Sequence, residues 1–145
     1  MEAFPADRAN ISVSIVWIPM CEAGNIRSTS SMGDTGDTEA SVKLAALTVQ
    51  DPRVRHFYDP DKLAGKAVVT SLGATGAEDG EDEVAWDIYL FYEPEEEWSN
   101  GEPPPAPVEW MHQLSECSWI DQSRMRCGEA LVAELYYTMK KLVAP

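Results

Sequence analysis

The sequence has no apolar run approaching the ~20 residues needed to cross a bilayer as a helix, and no Cys-x-x-Cys pair. Basic side chains are scarce: 11 Lys and Arg stand against 25 Asp and Glu, a formal net charge of −14. Phosphate backbones are held by clustered cations, so nucleic acid is excluded as an expected partner. No membrane partner is expected either. The N-terminus, Met1-Glu2-Ala3-Phe4-Pro5-Ala6-Asp7-Arg8, lacks a basic stretch followed by an apolar one, which argues against a cleaved secretory signal. The three cysteines, Cys21, Cys117 and Cys127, are odd in number and widely spaced. They read as reduced thiols of a cytoplasmic protein, not as a disulfide framework.

What is present suits a folded α/β chain. With 145 residues, one domain can bury on the order of 70% of its unfolded surface. Residues 1–10 are polar and expected to fray, which leaves 11–145 for the domain. Ile11 to Ile18 begins as strict alternation and closes as a continuous apolar run, a strand whose end is expected to be fully covered. Met20 to Gly36, rich in Ser, Thr and Gly, reads as a long loop. A helix capped by Asp37 or Thr38 follows, with Val42, Ala45, Ala46 and Val49 as its buried stripe, widened by Leu44 and Leu47. Asp51-Pro52 is expected to end it.

Arg53 to Tyr58 alternates as a second strand, and Pro60 is placed to open a helix running to about Leu72. After the acidic stretch 74–83, Val84 to Tyr92 reads as a well-buried central strand. Residues 93–107, with five prolines, form an extended connection. Val108 to Leu114 can form a short strand, 115–121 is irregular, and a last helix is expected over 123–142. Its inward face is Leu131, Leu135, Thr138, Met139 and Leu142, and Lys140 and Lys141 suit its C-terminal dipole. The order is β-α-β-α-β-β-α: a parallel pair joined through a helix, then a helix leading to an antiparallel pair.

Four phrases sharpen this order: Val16-Trp17-Ile18-Pro19, Asp51 to Asp59, Ala85 to Tyr92, and Trp110-Met111-His112-Gln113-Leu114. Together they resemble a set of bacterial thioredoxin-like proteins without an assigned activity, over about residues 11–142. The resemblance implies a single thioredoxin-like domain, a mixed sheet with helices on both faces. Redox-active members of that fold carry Cys-x-x-Cys at the start of the first helix and a cis-proline before the antiparallel pair. Here Trp17-Ile18-Pro19-Met20-Cys21 echoes the strand-then-cysteine layout, but Gly24 takes the second cysteine's place and Asp82-Glu83-Val84 contains no proline. Dithiol exchange needs an attacking and a resolving thiol. The expectation is therefore a non-catalytic binding or scaffolding module, with no cofactor and an unknown protein or small-molecule partner. The alternative is a monothiol redox protein in which Cys21 attacks and an external thiol resolves.

Each candidate residue has a plain reading beside the sharp one. Cys21 is a nucleophile if a cation such as Arg27 lowers its pKa against Glu22, and otherwise a small apolar residue at a strand end. Cys117, Cys127 and His112 suggest a soft-metal site, but His-x4-Cys and Cys-x9-Cys match no compact knuckle. The plain readings are a hydrogen-bonded His112 and a packing Cys127. Asp34-Thr35-Gly36 matches the aspartic-protease phrase without the apolar strand that chemistry requires. Glu78 to Glu83 lacks the spaced ligands of a calcium loop. Trp17, Trp98, Trp110 and His112, with Trp119 near by, are candidates to line an apolar ligand groove. Exposed aromatics around Trp98 would also favour a homodimer.

Overall fold

Alternation in Val13, Ile15 and Trp17 sets the first strand. The computed structural model describes residues 11–20, 38–73, 83–94, 96–99, 103–115 and 117–143. Cys21, Glu22, Arg27, Asp34-Thr35-Gly36, the acidic residues 78–82 and the N-terminal residues 1–10 lie outside the described residues. The described chain is mixed α/β, with three α-helices, one 3-10 turn and two two-stranded sheets. It forms two compact units, Ser12–Ala64 and the described residues from Gly65 onward. No described helix is long and apolar enough to cross a membrane.

In the first unit, β1 (Val13–Trp17) pairs in parallel with β2 (Val54–Tyr58), in a register running from Val13 opposite Val54 to Trp17 opposite Tyr58. Val13, Ile15 and Trp17 are half-buried while Ser14 and Val16 face out. The covered end expected of this strand is absent at Val16, which is 37% exposed beside Phe57 at 49%. Side chains alternate across a strand whatever their hydropathy, so an unbroken apolar run still sends every second residue outward.

α1 (Glu39–Ala46) starts at Thr38 as its neighbours dictate: Ser41 N–H donates to Thr38 Oγ1 at 3.2 Å and Thr38 N–H to Ser41 Oγ at 2.9 Å. Two end-of-helix donors are satisfied by this reciprocal cap. The helix stops at Ala46, well before Pro52. Leu47, Thr48 and Val49 donate to the carbonyls three residues back, and Thr48 Oγ1 donates to Ala45 O at 2.7 Å. The last turn tightens and the chain leaves. Val42, Ala45 and Ala46 are half-buried, but Val49 is 41%, Leu44 64% and Leu47 62% exposed, which corrects the stripe read from the sequence. At about 100° per residue, Leu44 lies about 160° round the helix from Val42.

Asp51 starts β2 by accepting from Arg53 N–H at 2.9 Å and from its guanidinium at 2.9 and 2.7 Å. Those bonds hold the Asp51 carboxyl down to about 2. Asp59 N–H donates to Trp17 O, and its carboxylate receives Ala64 N–H at 2.7 Å. α2 (Leu63–Ser71) thus opens after the Asp59–Lys62 turn and not at Pro60. Lys62, at φ 60°, is left-handed, and a helix cannot run through it.

In the second unit, Val68 and Val69 of α2 pack on Ala85, with Leu72, Ile88, Leu90 and Trp119 against them. The central strand is shorter than its apolar run. β3 is Ile88–Phe91, because Asp87 takes φ 50° and breaks the extended backbone. It pairs antiparallel with β4 (Glu109–His112), Ile88 opposite His112 and Phe91 opposite Glu109. The expected helix over 123–142 is two pieces. Gln122–Arg124 is a 3-10 turn capped by the Asp121 carboxylate, which accepts from Ser123 N–H at 3.0 Å. Met125 then runs extended beside His112, Arg126 N–H donates to His112 O at 2.8 Å, and only at Gly128 does α3 (Gly128–Leu142) begin. Gly128 has φ +55°, a conformation glycine adopts without strain. On α3, Leu131 and Thr138 are buried, Leu135 and Met139 half-buried, and Leu142 is 37% exposed.

Candidate functional site

His112 lies at the end of β4 with no exposed surface. Its Nδ1 accepts Leu114 N–H at 3.1 Å, and its Nε2 lies 3.1 Å from Asp121 O. A main-chain N–H can only donate and a carbonyl can only accept, so the ring is the neutral tautomer carrying its proton on Nε2. Both nitrogens are occupied by backbone. The imidazole has no lone pair left for a metal and no proton to exchange with a substrate without breaking the loop 113–121. His56 in the first unit is held the same way: Trp17 Nε1–H donates to its Nδ1 at 3.2 Å, and its Nε2 lies 3.2 Å from Val49 O. Trp17 stacks on this ring with centroids 6.1 Å apart.

Trp110 sits in a polar cluster of the second unit. Arg124 sits over its ring, the guanidinium carbon 4.6 Å from the centroid. Arg124 Nη1 donates to Glu109 Oε1 at 2.6 Å and to Trp110 O at 3.0 Å, and its Nε lies 3.8 Å from Asp121 Oδ2. The Trp110 N–H bond to Glu109 Oε1, and then Arg124, hold the Glu109 carboxyl below the ordinary range. Asp121 is likewise lowered, first by Ser123 and to a smaller extent by Arg124. Arg126 Nη1 donates to Ser123 O and Met125 O, and its Nε is 4.0 Å from Glu134. These groups line an open cleft of about 260 Å³. Every charge in it has a partner of opposite sign or a carbonyl, so the cleft ties β4 to the segment 121–126.

The aromatic candidates fall into separate settings. Trp17 belongs to the first unit, with His56. Trp110 and His112 stack, centroids 6.0 Å apart at 26°, but His112 is sealed and Trp110 is covered on one face by Arg124. Trp119 packs against the Val68–Val69–Ala85 core. Trp98, 46% exposed, meets Tyr92 edge-on at 5.9 Å; Val108, whose N–H donates to Phe91 O, is also 46% exposed. Burial pushes the Tyr92 hydroxyl up to about 12, and the nearby Trp98 indole offsets a smaller part of that rise. The approach falls short of a hydrogen bond, and Tyr92 Oη is buried without a partner among the described residues. An orphaned buried hydroxyl is a cost. Tyr92→Phe is therefore expected to raise stability by about 1 kcal/mol in urea unfolding; a loss of that size would mean the hydroxyl has a partner.

Cys127, read from the sequence as packing, is exposed at the cap position before α3, with no side-chain bond to the helix. Cys117 is half-buried, and burial, with Glu83's charge second, pushes its thiol up. Thiolate is the reacting form, so alkylation at pH 8 should label Cys127 several-fold faster than Cys117, at about the order set by thiolate fraction and access. Equal rates by peptide mass spectrometry would contradict this. No group of three or more His, Cys, Asp or Glu placed to hold a metal occurs among the described residues.

Arg124 and the Tyr92–Trp98 contact are the features that sequence reasoning missed. The one local signal near the first was Asp121-Gln122-Ser123, a turn-capping pattern that brings Arg124 back over β4. No family model matches the chain, and no curated protein or solved structure matches it either.

Proposed function

We propose that this chain is a non-catalytic binding or scaffolding module with a thioredoxin-like architecture. The carrying observation is the state of its described acid–base groups. His56 and His112 are each bonded through both nitrogens, and Arg124 is held by Glu109 and Trp110 O. Among the residues the chain turns toward solvent, beside many charged ones, are Trp98 within the 93–107 connection and Val108 directly after it. Trp98 is the anchor we assign to a protein or small-molecule partner, since a rigid aromatic contributes contact area at little entropic cost.

The thioredoxin-like reading draws support from the element order, the parallel β1–β2 pair and the antiparallel β3–β4 pair. A single domain with one mixed sheet should unfold in urea as one transition by both tryptophan fluorescence and circular dichroism; two separated transitions would refute it.

The functional test is thiol chemistry. In an insulin-reduction assay with glutathione as the external thiol, the chain is expected to show no turnover above the thiol alone. Steady turnover that disappears in Cys21→Ser would replace the binding reading with the monothiol one. Trp98→Ala would then leave the rate unchanged, whereas a binding module loses its partner with that variant.

A further inference from the structure

Glutamate is followed directly by tryptophan twice in the second unit, and the two pairs are completed differently. At β4 the pair is Glu109 and Trp110. Arg124 fills it, with its guanidinium carbon 4.6 Å from the ring centroid and its Nη1 2.6 Å from Glu109 Oε1. A guanidinium suits both contacts at once, because its flat face lies on an aromatic ring while its N–H edge reaches a carboxylate.

After β3 the pair is Glu97 and Trp98, with Glu93 and Glu96 close by in the chain. All four side chains are exposed, Trp98 at 46%. Glu96 N–H donates to Glu93 O at 3.1 Å, so the chain turns here and keeps the three glutamates within a few residues of the ring. Tyr92 backs the indole edge-on at 5.9 Å. Among the described residues no cation lies over Trp98, and none pairs with Glu93, Glu96 or Glu97. Arg124 and Lys141 act instead on Glu109.

We infer that Trp98, with Glu93, Glu96 and Glu97, is a docking site for an arginine-bearing segment of a protein partner, whose guanidinium lies on the indole as Arg124 lies on Trp110. The inference rests on the reading of Trp98 as the binding anchor and adds the chemistry of what it holds. The chain supplies its own template at Trp110, and Trp98 has the same two ingredients without the arginine. Charge selects the same occupant. A chain of net charge −14 repels an acidic partner and draws a basic one. A purely apolar partner would cover carboxylates without pairing them, which costs free energy. The site is open surface, where one cation–π contact or one ion pair contributes little. A segment that carries more than one arginine adds such contacts together, and a free guanidinium compound does not.

The test is a titration followed by nitrogen-15 NMR, with the Trp98 indole N–H identified by its absence in Trp98→Phe. The probe is a short peptide alternating arginine and glycine. Its control carries citrulline, which keeps the shape of arginine without the charge. The arginine peptide is expected to shift the Trp98 indole signal to saturation, and the citrulline peptide to bind about tenfold more weakly. By calorimetry, Trp98→Ala and Glu96→Gln/Glu97→Gln should each weaken binding about fivefold. Asp61→Asn/Glu129→Gln removes the same charge from exposed positions elsewhere and should weaken it less than about twofold. Equal losses in the two double variants would overturn the inference, since the attraction would then be the diffuse field of the chain. The absence of any saturable shift at roughly millimolar peptide would overturn it too. Equal binding of the citrulline peptide would overturn it while leaving Trp98 as the anchor of a neutral partner. Binding unchanged in Trp98→Ala would overturn both readings.

Discussion

Replacing His112 with alanine should destabilise the chain by about 4 kcal/mol, on the order of half a typical domain's stability. Two effects add. The side chain has no exposed surface, so its loss opens a cavity. The second effect is larger in kind: Leu114 N–H and Asp121 O both lose their partner where water does not reach the ring's place. An unsatisfied buried group costs about 1–3 kcal/mol. The amide side chains separate the two contributions. His112→Asn offers an acceptor near the Nδ1 position, and His112→Gln a donor near Nε2, so each should recover one bond and fall between wild type and alanine in urea midpoint. If both behave like alanine, volume and not hydrogen bonding dominates. If all three are near wild type, the ring is not the cross-tie described. Nitrogen-15 NMR supplies an independent check, since the Nε2–H tautomer has a shift pattern distinct from its Nδ1–H counterpart.

A comparable loss, about 3 kcal/mol, is expected for Met111→Ala, while Leu44→Ala should stay within about 0.5 kcal/mol. By hydropathy alone the order would be reversed, because leucine is the stronger core former and Leu44 widens an apolar helical stripe. Exposure decides the matter: Met111 retains 3% of its surface and Leu44 retains 64%. Met111 stands on β4 opposite Tyr89, whose hydroxyl is tied to Gln113 at 2.8 Å. The strands cannot close on the space its side chain would leave, so most of the cavity cost persists. Urea unfolding of the two variants side by side tests the assignment, and a larger effect at Leu44 would place α1 differently on its sheet.

These two residues also show where sequence patterns carry and where they fail. Period-two alternation placed Val13, Ile15 and Trp17 on the covered side of β1, and of the two caps the sequence offered, Asp37 or Thr38, Thr38 marks the start of α1. Both are local, fixed by backbone geometry within a few residues. The helical spacing read over 123–142 continues on both sides of Gly128, which hides the true start of α3 there. The left-handed Lys62 and Asp87 were not legible, because neither residue type demands that conformation. They shorten α2 and β3 at points where propensity favours extending them. The site was less visible than the fold. Arg124 reaches Glu109 across 15 positions of sequence and His112 reaches Asp121 across 9, contacts that exist only once β4 and the following turn are in place. A histidine, an arginine and a tryptophan in a chain say nothing of which will be sealed and which will meet solvent.

The bridge from Arg126 N–H to His112 O bears on how the chain meets copies of itself. A strand with a bare margin is a template for any extended peptide, and runs such as Ile88-Tyr89-Leu90-Phe91 are the kind that stack into fibres. β4, which shields that run on one side, has part of its own far margin already taken by residues 125–126 of the same molecule. Main-chain recruitment through that margin would first require this clasp to open, and with it the seat of His112. Recruitment of an extended peptide at that margin should therefore be seen only once the clasp has opened.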